Sequence, residues 1–212
     1  MKKICFLTLF VISTLCNAQK NKNRTTTKVI PQKNTILATL DQISAEIIAE
    51  KNTKRTVLLI KNSTSKDTLE IKNNGNTDFK PTDFTLKKFT NQGKNFYLVQ
   101  WKDIQKTETK VLKENAITTT NQIWEIDSKT LHIENIQKTT QISEIIFLDK
   151  NKTASHTVDK AKSEGFEFIL NADGTFTLKT KSQNNSYQYQ NNSKKFELIN
   201  ASKSNYSTKN KK

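Results

Sequence analysis

The chain has 212 residues, with 35 lysines and arginines against 20 aspartates and glutamates, a formal net charge of +15 and a pI near 9.7. Four scattered glycines exclude a glycine-rich phosphate loop, and hence a nucleotide cofactor. Only Arg24 and Arg55 are arginines, which argues against sequence-specific nucleic-acid readout, because arginine supplies most bidentate contacts to phosphate and guanine.

From the N-terminus, Lys2 and Lys3 precede an apolar stretch from Ile4 to Leu15, and Cys16, Asn17 and Ala18 put small residues before a cut between Ala18 and Gln19. That is the layout of a cleavable secretory signal. As a helix the stretch rises about 18 Å, too little for a hydrocarbon core of about 30 Å. The Ala18–Gln19 junction resembles those of proteins exported by Bacteroidota-type bacteria. Cys16 invites a lipoprotein reading, but Leu15 stands where that pattern needs a small residue, so an acyl anchor is not expected. Both cysteines fall inside this segment, leaving the mature chain without a disulfide or a thiolate metal site. The expected location is the periplasm or the extracellular space, with no transmembrane segment.

Residues 19–34 carry five basic and no acidic residues, and residues 200–212 carry four and none. Both read as disordered basic tails around a single β-rich domain at 35–199. Much of the positive charge therefore sits outside the body, where it cannot line a folded nucleic-acid groove.

Ile36, Leu37, Leu40, Ile43, Ile47 and Ile48 recur three or four apart, which predicts an amphipathic helix over 35–50 with Asn34 as its N-cap. A buried β segment is the competing reading of the same run. From Thr56 onward, short β-branched and aromatic runs alternate with polar turns, as in an antiparallel meander of about ten to twelve strands. That many strands cannot stay in one flat sheet, so an all-β barrel-like or two-sheet sandwich fold is expected.

Asn171–Gly174 fits a turn that pairs Leu170 with Phe176 and Phe168 with Leu178. A four-residue loop at Asn191–Lys194 pairs Tyr189 with Phe196 and Tyr187 with Leu198. A two-residue loop at Ser128 and Lys129 pairs Trp124 with Ile133 and leaves Glu125 beside His132 on the solvent face. Further strands are expected at Val57–Lys61, Thr68–Lys72, Phe84–Phe89, Thr107–Leu112, Ile142–Leu148 and Thr153–Val158. Phe96–Trp101 is apolar on both faces, Phe96 and Leu98 on one and Tyr97, Val99 and Trp101 on the other, so it reads as a strand covered twice.

Candidate chemistry is sparse. His132 and His156 have no triad or metal pattern around them, and no catalytic, cofactor or metal residue is assigned. Asp78 with Asp83, or Glu164 with Glu167, are the acid pairs a glycoside hydrolase would need, although sequence spacing says nothing of their separation. Asp149–Lys152 places lysines where a calcium loop needs oxygen ligands. Lysines interleave with aromatics at Lys87, Lys88, Lys94, Tyr97 and Trp101, a pattern that suits a binding platform but that strand alternation also produces. The expected function is a non-catalytic envelope or secreted protein that binds or builds through its surface, with a cell-envelope component or anionic polymer as partner. The alternatives are an exported polymer hydrolase and weak binding of anionic polymers by the tails.

Overall fold

The structure, a computed structural model, describes residues 34–49, 53–61, 66–75 and 79–203. The signal segment with Ala18 and Gln19, residues 19–33 of the first tail and residues 204–212 of the second lie outside the described residues. At its C-terminal end the body continues past the expected boundary, since the last strand runs to Lys203.

Thirteen strands form among the described residues, and every pairing is antiparallel between sequence neighbours. The first sheet holds β1 (Thr35–Leu40), β2 (Ile43–Ala49), β3 (Lys54–Lys61) and β4 (Lys66–Gly75). The second holds β5 (Thr82–Asn91), β6 (Lys94–Glu108), β7 (Leu112–Glu125), β8 (Thr130–Phe147) and β9 (Ser155–Glu164). The third holds β10 (Glu167–Leu170), β11 (Phe176–Lys179), β12 (Gln183–Gln190) and β13 (Lys195–Lys203). The chain is thus an all-β meander of three antiparallel sheets.

The helix expected over 35–50 is replaced by the β1–β2 hairpin. The chain reverses at Asp41 and Gln42, with Asp41 at φ 51°, and Leu40 pairs with Ile43 across the turn. A turn in the middle of the run, with a bulge between Ile36 and Ala38, breaks the period of two and leaves apolar residues three or four apart. The isoleucines themselves favour extended chain, because their branched Cβ fits a pleated surface better than a helical turn. Asn34, expected as a cap, instead donates to Glu46 Oε2 at 3.2 Å.

β6 shows how the sheets stack. Its odd-numbered residues Val99 and Trp101 are buried with Ile43, Leu58 and Ile71 of the first sheet, and Trp124 of β7 joins them. Its even-numbered residues Phe96 and Leu98 are buried on the opposite side with Ile123 of β7 and with Phe176 and Tyr189 of the third sheet. The second sheet is therefore covered on both faces near the β5–β6 turn, as the two-sided apolar pattern of Phe96–Trp101 requires.

Two of the three expected hairpins have the anticipated register. Leu170 pairs with Phe176 and Phe168 with Leu178, closed by Asn171 N–H to Thr175 O at 2.8 Å and Gly174 N–H to Asn171 O at 3.1 Å. Tyr189 pairs with Phe196 and Tyr187 with Leu198. The third hairpin differs: Glu125 pairs with Thr130 and Trp124 with Leu131, so the loop spans Ile126–Lys129, and a bulge follows that pairs Ile123 with Ile133. The strand expected at Thr107–Leu112 is also corrected. Thr109 closes a turn there, its N–H donating to Leu112 O at 2.7 Å and its Oγ1 accepting from Leu112 N–H at 3.0 Å, so the run joins β6 to β7.

β8 has 18 residues, about 60 Å of strand at roughly 3.3 Å per residue. Neither core cluster includes a residue of β6 beyond Trp101, of β7 before Ile123 or of β8 after Ile133. The far halves of β6, β7 and β8, with β9, extend beyond both cores.

Candidate binding surface

The lysine–aromatic platform divides between the faces of β5 and β6. Trp101 is buried in the first core and stacks on Phe84, with ring centroids 6.0 Å apart. Tyr97 packs against the same core, with Lys88 Nζ 6.0 Å from its ring centroid. Lys87 pairs with Leu98 and so belongs to the opposite face. Lys94 donates to Glu125 Oε1 at 2.8 Å. These five side chains do not share one surface.

His132, expected on the solvent face, is turned inward, with its side chain only 5% exposed. It is the extra residue of the bulge between Ile123 and Trp124, and a bulge re-aims the side chain it adds. Its ring meets those of Phe96, Tyr189 and Phe196 edge-on at centroid distances of 5.4, 5.6 and 5.9 Å. The expected proximity to Glu125 does form, with His132 Nε2 3.3 Å from Glu125 Oε2.

Lys94, then Ser128, which donates to Glu125 Oε2 at 2.8 Å, and His132 surround this carboxylate and draw its pKa from an ordinary 4.5 to about 2. The bond from Lys94 is the largest cause, and the same bond raises the Lys94 ammonium. Because the folded pKa lies below the unfolded one, Glu125 stabilises the fold fully above about pH 4.5, and that contribution disappears as pH falls toward 2. Urea titrations across this window should show stability falling with acidification, and Glu125→Gln should flatten that limb. An unchanged slope in the variant would remove Glu125 from the balance.

Of the other acids singled out from the sequence, Asp83 and Asp149 have structural partners. Asp83 is ion-paired with Lys102 at 2.8 Å, while Asp78 lies outside the described residues. Glu164 ends β9 and Glu167 begins β10. Asp149 caps its own loop, accepting from Thr153 N–H and Ala154 N–H at 2.9 Å. Among the described residues no three His, Cys, Asp or Glu side chains gather to hold a metal ion, and no helix is long and apolar enough to cross a membrane.

The open concave surface lies on the extended half of the second sheet. Register sets Lys106, Asn115, Gln141 and Ala161 side by side across β6 to β9, and Glu108, Lys113, Ser143 and Asp159 form the next rank. Both ranks fall at positions that share a face with Phe96 and Leu98, because side chains alternate along the strand. They line a hollow of about 500 Å³. A second hollow of about 240 Å³ shares Asn115, Gln141 and Ala161 with it and reaches Lys181. A third of about 550 Å³ lies beside the β11–β12 turn and shares Ser163 and Lys181 with the second. Together they make one continuous groove.

No protein-family model, curated protein or solved structure matches the chain.

The groove offers hydrogen-bonding groups on walls built mainly from side-chain carbon. Lysine ammonium groups, two amides and a hydroxyl alternate along it, and Asn115 Oδ1 is buried without a hydrogen-bond partner. A buried acceptor left unmet costs about 1–3 kcal/mol. Lys113 and Glu108 are 2.9 Å apart but both are well exposed, so their attraction yields easily to a ligand. Lys106, Asn115 and Gln141 were not singled out from the sequence. The signal was there in the alternation that continues through β8 as Gln137, Thr139, Gln141 and Ser143.

Proposed function

We propose that this chain is an exported, non-catalytic binding or structural module. In it a layered β sandwich presents an extended sheet whose groove takes a hydroxyl- and amide-bearing polymer of the cell envelope or its surroundings. The observation that carries this reading is the division of labour between side chains. Most of the described aromatics are consumed in two packed cores, Phe147 being an exposed exception, and the open groove between Lys106 and Ser163 presents ammonium, amide and hydroxyl groups.

Two further observations favour binding over hydrolysis. Glu108 and Asp159 are the acids of the two ranks, and the register separates them by three strand spacings, about 14 Å along the sheet, against the roughly 5–9.5 Å that glycosidase carboxylates need. Glu114 pairs with Thr107 and so falls on the opposite face, and Glu167 borders the hollow beside the β11–β12 turn. Among the described residues the carboxylates whose pKa is moved, Asp67, Glu125, Asp149 and Asp173, are all moved downward by hydrogen bonds, opposite to the direction a general acid needs.

The test is retention of the protein on insoluble peptidoglycan, on an immobilised acidic polysaccharide and on DNA–cellulose, with soluble fragments and new reducing ends assayed in parallel. The expected result is retention on one of the glycans that weakens about tenfold or more in the K106A/N115A/Q141A variant, with no product released. Tenfold corresponds to loss of about 1.4 kcal/mol, one or two hydrogen bonds. Product release would establish the hydrolase instead. Retention indifferent to the groove variant, abolished by salt and by removal of both tails, would assign binding to the tails.

A further inference from the structure

At the far end of the second sheet, Ile145, Ile146, Phe147 and Leu148 follow one another without a polar residue, and each is at least 36% exposed, Leu148 reaching 66%. Alternation puts Ile145 and Phe147 on one face of the sheet end and Ile146 and Leu148 on the other. Val111, 40% exposed in the β6–β7 turn, lies beside them, its carbonyl accepting from Ile145 N–H at 2.8 Å. A strand end normally buries one of its faces, and four consecutive exposed apolar residues oppose folding and solubility unless something covers them.

The charges around this cluster identify the cover. The two loops of the tip carry Lys110, Lys150 and Lys152 against a single acid, Asp149. That acid is turned onto its own loop, where it accepts from Thr153 N–H and Ala154 N–H and from the Thr153 hydroxyl. Lys152 Nζ lies 5.4 Å from the centroid of the Phe147 ring, so a cation already sits directly at the apolar surface. Lys113, close by in β7, is paired with Glu108. An apolar point ringed by ammonium groups complements an interface that is hydrocarbon within and anionic at its rim.

We infer that this tip docks on an anionic lipid bilayer, Phe147 and Leu148 entering the boundary between headgroups and acyl chains while Lys110, Lys150 and Lys152 pair with lipid phosphates. The extended sheet holds the tip away from both cores, so insertion requires no unfolding. The groove lies on one face of the same sheet half and ends near the tip, since the hollow formed by Val111, Ser143 and Ile145 shares Lys113 and Ser143 with the main one. The inference stands apart from the groove reading, because the F147S/L148S change leaves Lys106, Asn115 and Gln141 in place.

The full chain is to be sedimented with vesicles of phosphatidylcholine alone and of phosphatidylcholine with about one part in three phosphatidylglycerol. Selective binding to the anionic vesicles is expected, and F147S/L148S should lower the partition coefficient about tenfold or more. Both residues are exposed, so the variant should keep the wild-type unfolding transition. Because the basic tails could hold the chain on vesicles by charge alone, L148W provides a second readout: the fluorescence its indole adds should be quenched by bromine-labelled lipid chains. Absence of binding, equal binding by F147S/L148S, or no quenching of the added emission in L148W would each overturn the inference. Sedimentation velocity showing a dimer that F147S/L148S dissolves would place a second copy on the tip and overturn it likewise.

Discussion

Replacing Phe96 by alanine should cost about 3–5 kcal/mol of folding free energy, the range for truncating a fully enclosed aromatic ring. The ring is completely buried. It stacks on Phe89 at 5.6 Å in its own sheet and meets Tyr189 and Phe196 of the third sheet at 4.9 and 5.1 Å. It also forms one wall around His132, at 5.4 Å. The alanine leaves a cavity lined from two sheets, and close-packed strands on both sides cannot collapse to fill it. Guanidinium unfolding measures the loss as a lower midpoint. A change below about 1 kcal/mol would mean that the third sheet does not dock on β6 through this ring.

Gly174→Ala should cost about 3 kcal/mol or more, against about 1 kcal/mol for Gly93→Ala, and the difference between the two is the informative quantity. Both glycines take positive φ, +80° and +77°. A side chain at Gly93 meets nothing within 4 Å, so that variant reports backbone preference alone. At Gly174 a Cβ would come within 2.1 Å of Thr90 O in β5, a backbone atom that cannot swing aside. The turn would have to lift away from β5 beside the point where Asn91 Oδ1 accepts from Tyr189 N–H at 3.3 Å. The strain therefore falls on the seam between the second and third sheets. Equal losses in thermal or denaturant unfolding for the two variants would contradict the close approach of this turn to β5.

These two sites show what the sequence made legible. The Gly174 turn and the loop at 191–194 could be placed because turn chemistry and alternation agree, and a slip of one residue would have turned Phe168, Phe176 and Tyr189 outward. The two-sided burial of Phe96–Trp101 was legible for a similar reason. The helix expected at 35–50 failed because a hairpin turn at Asp41 resets the alternation, and distances along a sequence do not record a change of direction. The misplacement of His132 came from one unforeseen bulge, which alters the face of a residue without altering composition. The groove was illegible for a different reason: the neighbours in its two ranks come from four strands spread over 106–161, and only the register of long strands sets Lys106 in line with Ala161. The run at Ile145–Leu148 was visible, but a continuous apolar stretch normally reads as a buried strand, and burial depends on what other sheets reach.

Since among the described residues no strand pairs with one that is distant in the chain, assembly can keep pace with delivery of the polypeptide from its N-terminal side. The first two sheets can settle around Trp101 and Trp124 before the last stretch of about 45 residues arrives. Until β10 to β13 close over them, however, Phe96, Leu98 and Ile123 remain bare, and a prematurely ended chain would display that greasy surface to whatever machinery inspects newly made proteins. The final meander thus works as a seal of completion.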